Sequence, residues 1–89
     1  MKQKALNPKT KAEKHKERLE KIKRNLPSIY TPIIIERLEK KHGYAYSESI
    51  IKKVLAGERT NYRILNELAL LAQENKKDKE KFARIVNTL

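Results

Sequence analysis

Six side chains in one short stretch have the types and spacing to read the edge of a base pair. Ser47, Glu48, Ser49, Ile50, Lys52 and Lys53 lie close together in the chain. Serine and lysine can hydrogen-bond base edges or phosphate oxygens. Glutamate can accept from the amino group of cytosine, and isoleucine can touch a thymine methyl, although Ile50, at the edge of the inward stripe, is equally placed to be peripheral core. Behind these residues, Ile51, Val54 and Leu55 recur at i, i+3 and i+4, the inward stripe of a short amphipathic helix. Ser47 is placed to cap that helix and Gly57 to end it. Arg59 and Thr60 follow in a loop, where they would meet phosphate.

Other chemistries are poorly served. The carboxylates are scattered over charged helix faces, and neither His15 nor His42 has a placed partner, so general acid–base catalysis has no constellation. There is no cysteine, which removes disulfides and thiolate metal sites. Two glycines are too few for a phosphate-cradling loop. The sequence therefore predicts no enzyme, no metal, no cofactor and no small-molecule substrate.

Charge points to a polyanionic partner. Net charge is +11, with 37% of the 89 residues charged and only 38% hydrophobic. Residues 1–26 hold ten Lys/Arg against three Glu, so +7 of the +11 sits in that first segment. The chain is expected to divide into a basic N-terminal arm or helix, 1–26, and a helical domain, 27–89. No apolar core follows the basic N-terminus, so no signal peptide is expected. The longest apolar run, 68–72, is far too short to span a membrane. Location is expected to be the cytoplasm, on the nucleoid.

The elements that position the reading residues follow from periodicity. Residues 1–8 have no pattern and are expected to be extended or disordered. Over 10–25, Ala12, His15, Leu19 and Ile22, continued by Leu26, alternate at spacings of three and four, a heptad seam on a lysine-rich helix. That seam could dock on the chain's own body or pair with a second copy. The basic face, with Lys14, Arg18 and Lys21, could instead track phosphates. Pro27 and Pro32 bracket a break. Thr31 is expected to cap a helix over 32–42 with Pro32 at its first position, Ile34, Ile35 and Leu38 inside, and Gly43 as its stop. Thr31 and Tyr46 are further candidates for phosphate contact, although a tyrosine beside a turn more often closes the core edge. Asn61 or Thr60 is expected to cap a third body helix reaching about residue 75, whose stripe is Ile64, Leu65, Leu68, Ala69, Leu71 and Ala72. A break at Lys76-Lys77-Asp78 is expected, with Asp78 capping a last helix that carries Phe82, Ile85, Val86 and Leu89 on one face. No period-two pattern appears, so the fold class is all-α.

Ser47-Glu48-Ser49-Ile50-Ile51-Lys52-Lys53-Val54-Leu55-Ala56-Gly57-Glu58-Arg59, followed by Asn61, resembles the third-helix signature of phage repressor and Cro-like helix-turn-helix domains. The signature runs from a serine through an apolar pair to Val-Leu-x-Gly and a basic residue. The resemblance covers roughly 32–75. It implies a compact helical bundle, binding to double-stranded DNA, usually a homodimer on a two-fold site, and regulation of transcription. Carried onto this chain, it places Ser47, Glu48, Ser49, Ile50, Lys52 and Lys53 at the groove, and Arg59 and Thr60 at phosphate. The chain departs from the pattern in its longer turn, with Tyr44, Ala45 and Tyr46 between Gly43 and Ser47. It departs again at Glu39 or Lys41, where the family has a small residue, and in the lysine-rich stripe standing where the family has an apolar first helix. A second reading is a non-enzymatic helical interaction module whose basic face meets an acidic protein. RNA binding ranks below both, because no RNA-module signature is present.

Overall fold

The computed structural model describes residues 11–89. The unpatterned segment over 1–8 lies outside them. Four helices make a small bundle: α1 (Lys11–Asn25), α2 (Thr31–His42), α3 (Glu48–Leu55) and α4 (Tyr62–Asn87). No strand occurs among the described residues, and the fold is all-α. The longest element, α4, touches all three others, and α2 also packs on α3.

One core serves all four helices. Ile34 and Leu38 of α2, Ile51 and Val54 of α3, and Ile64 and Leu68 of α4 are wholly removed from water. Leu19, Leu55, Leu65 and Leu71 complete the cluster. Leu19 is the one buried residue of α1, while Ile22 and Leu26 pack against the core at its margin and Ala12 is exposed. The lysine-rich seam is therefore docked on the chain's own body. Burying a leucine side chain contributes roughly 2 kcal/mol, enough to hold a helix that alone would be marginal. Ala69, expected in the apolar stripe of α4, is exposed instead, beside Ile22 in the groove between α1 and α4.

The caps explain where most helices begin and end. Gly43 adopts φ 75° after α2, and its N–H donates to the Glu39 carbonyl at 2.9 Å. Ser47 Oγ accepts from the Ile50 N–H at 3.2 Å, and Asn61 Oδ1 accepts from the N–H groups of Arg63 and Ile64 at 3.0 and 3.2 Å. Gly57 has φ 87°, and a Cβ there would stand 3.3 Å from Leu19 Cδ1. This turn thus needs glycine twice over, for its left-handed backbone and for the approach of α1.

Two expectations are corrected. Thr31 does not cap α2: Tyr30 holds the cap position without a side-chain bond, and Thr31 lies inside the helix, buried. Its hydroxyl is drawn away from the backbone to donate to Glu48 Oε2 at 3.0 Å. Nor does a break occur at Lys76-Lys77-Asp78. Helix α4 runs through them to Asn87, because 62–87 contains no glycine or proline and its lysines and glutamates are good helix formers.

Ionic pairs fasten α2 to α4. Arg37 donates twice to Glu74, at 2.8 and 3.1 Å, and Lys41 Nζ donates to Glu67 Oε2 at 2.6 Å. The hydrogen bonds from Arg37 hold the Glu74 carboxyl below its usual range, with burial opposing slightly, and the same bonds raise the Arg37 guanidinium. Further along α4, Asn75 Nδ2 donates to the Asn25 carbonyl at 2.8 Å and closes the end of α1. No residue of α4 after Asn75 is buried. A helix of 26 residues is about 39 Å long, so the segment 76–87 overhangs the bundle.

Candidate nucleic-acid interface

The site is built on α3, eight residues locked from behind by Ile51, Val54 and Leu55. Its free side is one open surface formed by Glu48, Ser49, Lys52, Lys53, Ala56 and Glu58. Packing fixes this face outward: the three inner residues fill the core, so the intervening positions must face solvent.

The outward residues are not equivalent. Glu48 accepts from Thr31 and lies 3.6 Å from Lys52 Nζ, so it ties the start of α2 to the middle of α3 and partly neutralises Lys52. Lys53 and Arg59 form no ion pair among the described residues. They are the cations of this region most free to meet an anion. Ser49 is exposed, whereas Ser47 spends its oxygen on the helix cap. Ile50 is half-buried and packs on the core, the peripheral-core place that the edge of the stripe allowed it.

The long turn has a structure of its own. Tyr46 is half-buried against the core, and its ring meets that of Tyr44 at a centroid distance of 6.1 Å and a 57° tilt. Tyr44 is exposed, and the Arg63 guanidinium sits over it, 6.0 Å from the ring centroid. The extra residues between Gly43 and Ser47 are thereby held by α4. Tyr46 is a packing residue first, and Thr31, buried with its hydroxyl engaged, is withdrawn from the phosphate-facing set. Sequence reasoning missed Arg63; the only signal was a basic residue just inside the Asn61 cap, which does not say what it covers.

The basic helix contributes unevenly. Lys14 and Arg18 border Thr60 and Tyr62 in a cleft between α1 and the loop after α3, joined there by Lys11 and His15. Lys21 lines the adjoining groove with Ile22, Leu65 and Ala69, which Arg18 and Tyr62 also border. The fold thus brings Lys14, Arg18 and Thr60 into one cleft, while Lys21 meets Arg18 only in the next groove, away from Thr60. Among the described residues no group of three or more His, Asp or Glu could hold a metal ion, and no helix is long and apolar enough to cross a membrane.

The succession of α2, turn and α3, backed by α4, is compatible with a helix-turn-helix. No protein-family model matches the chain, and neither a curated protein nor a solved structure shows significant similarity to it.

Proposed function

We propose that this chain binds double-stranded DNA in a sequence-specific manner and acts as a small transcriptional regulator of the phage or mobile-element kind, on the nucleoid. The observation that carries the reading is the outward face of α3. A short, core-locked helix presents Ser49, Lys52 and Lys53, with Arg59 and Thr60 in the loop that follows. Direct readout needs a narrow helix whose exposed side chains can donate to purine acceptors. In this reading Ser49, Lys52 and Lys53 meet base edges, while Arg59, Thr60, Lys14 and Arg18 meet phosphates and set the register. Glu48 holds Lys52 rather than reading a base.

The test is a selection of bound sites from random duplexes, followed by titration of Lys53→Ala at fixed salt. A consensus that weakens or relaxes at defined positions in the variant supports the proposal. No enrichment over random duplex, with binding to an acidic protein instead, favours the interaction-module reading.

A further inference from the structure

The overhang of α4 exposes an apolar stripe that the bundle does not use. Phe82 is 68% exposed, Ile85 53%, Val86 43% and Leu89 97%. These positions continue the seam that builds the core. Ile64, Leu68, Leu71, Asn75, Asp78, Phe82, Ile85 and Leu89 alternate at spacings of four and three. The first three are buried under α1, α2 and α3; Asn75 closes the end of α1; the last three face water. The helix keeps an inward-type face beyond the part that the other described helices cover.

We infer that a second copy of this chain covers it: two overhangs pair antiparallel, with Phe82 of each helix opposite Ile85 of the other. Charge supports that orientation. The overhang begins with Lys76, Lys77, Lys79 and Lys81, interleaved with Asp78 and Glu80, and ends in a turn that carries Arg84 and no acidic residue, where the helix carbonyls present the negative end of the dipole. Antiparallel pairing sets each lysine-rich start beside its partner's carbonyl end. Parallel pairing sets the two lysine-rich segments side by side. Area fixes the strength. The stripe offers roughly 500 Å² of exposed apolar surface per copy, less than the ~800 Å² per partner of a standard stable interface. The pair is therefore a reversible dimer that dissociates on dilution. This inference stands apart from the DNA reading and is tested without nucleic acid.

The experiment is sedimentation equilibrium on the full chain over a wide concentration range, with helix content followed by circular dichroism. The expected result is a mass that rises toward twice the monomer with concentration. The double variant Phe82→Glu/Ile85→Glu should stay monomeric with an unchanged melting temperature at low concentration, because neither side chain belongs to the core. A monomer at every concentration, or a dimer that survives the double variant, overturns the inference. Orientation is read with a spin label on Lys76→Cys, in a chain that has no cysteine of its own. Antiparallel pairing places the two labels roughly 20 Å apart along the axis, at a rise of 1.5 Å per residue. Labels separated only by the interaxial distance of about 10 Å would identify a parallel pair and reject the arrangement.

Discussion

Lys41 Nζ lies 2.6 Å from Glu67 Oε2, and the Glu67 side chain is only 4% exposed while that of Lys41 is 52% exposed. The carboxylate is thus taken out of water by α4 and reached from the surface by a lysine of α2. Its second oxygen, Oε1, is buried without a hydrogen-bond partner. A charge in that position depends on its one partner.

Removing the partner is more damaging than removing the pair. Lys41→Ala should destabilise the bundle by roughly 1–3 kcal/mol, because it strands a buried carboxylate. Lys41→Ala/Glu67→Leu should recover much of the loss. Urea unfolding of the single and double variants measures both; equal losses would show that the carboxylate carries no cost of isolation.

Of the two glycines, Gly57 is the less able to accept a side chain. Its φ of 87° and the Leu19 methyl, 3.3 Å from where a Cβ would stand, act together. Gly57→Ala is expected to cost at least ~1 kcal/mol, with α1 loosened first. Faster amide exchange in 15–22 than in α4 would be the mark of it. Gly43, with open space around its Cβ position, has only the backbone constraint, so Gly43→Ala should cost less than Gly57→Ala in the same assay.

Lys52 and Lys53 should differ in DNA binding. Glu48 partly neutralises Lys52, whereas Lys53 has no ion pair among the described residues. Lys53→Ala is expected to weaken duplex binding by ~10-fold, in line with about 1–3 kcal/mol for a good base contact, and Glu48→Gln to alter binding through a freed Lys52. Lys14→Ala/Arg18→Ala should instead flatten the dependence of affinity on salt, by nearly one unit of slope per lost phosphate contact, leaving site preference intact. Lys21→Ala is the control that should change little. Fluorescence anisotropy across a salt series separates these outcomes.

Acid should loosen the contact between α2 and α4. The Glu74 carboxyl titrates below its ordinary range because Arg37 bonds its ionised form. A depressed folded-state value contributes stability above the unfolded value, near pH 4.5, which is lost as pH falls through the folded one. Glu74 is more than half exposed, so solvent screening keeps the effect below about 1 kcal/mol. The difference in unfolding free energy between the natural chain and Glu74→Gln, measured from neutral pH down to strong acid, should shrink in that acidic window and stay flat above it.

What could be read along the chain was what is decided locally. The caps at Ser47 and Asn61 and the stops at Gly43 and Gly57 depend on groups a few residues apart, and each is where the spacing places it. The inward stripe Ile51, Val54 and Leu55 follows from helix geometry alone. Contacts between distant segments were not legible. Thr31 reads as a cap until Glu48, seventeen residues on, claims its hydroxyl. Arg37 with Glu74 and Lys41 with Glu67 are separated by 37 and 26 residues, and nothing in either local sequence names the other. The expected break at Lys76-Lys77-Asp78 gave turn-like weight to charge, although lysine and glutamate continue helices readily. For the outward face of α3, periodicity set the direction of each residue and left Ile50 open, because a residue at the edge of a stripe is assigned by its neighbours.

The amide of Asn75, closing α1 at the Asn25 carbonyl, divides α4 into two parts under different constraint. Up to that residue, substitution is limited by a shared core. After it, replacements leave the bundle's packing unchanged, so the last stretch of the helix can vary at little structural penalty. What that stretch displays on its surface can change without disturbing the scaffold that carries α3.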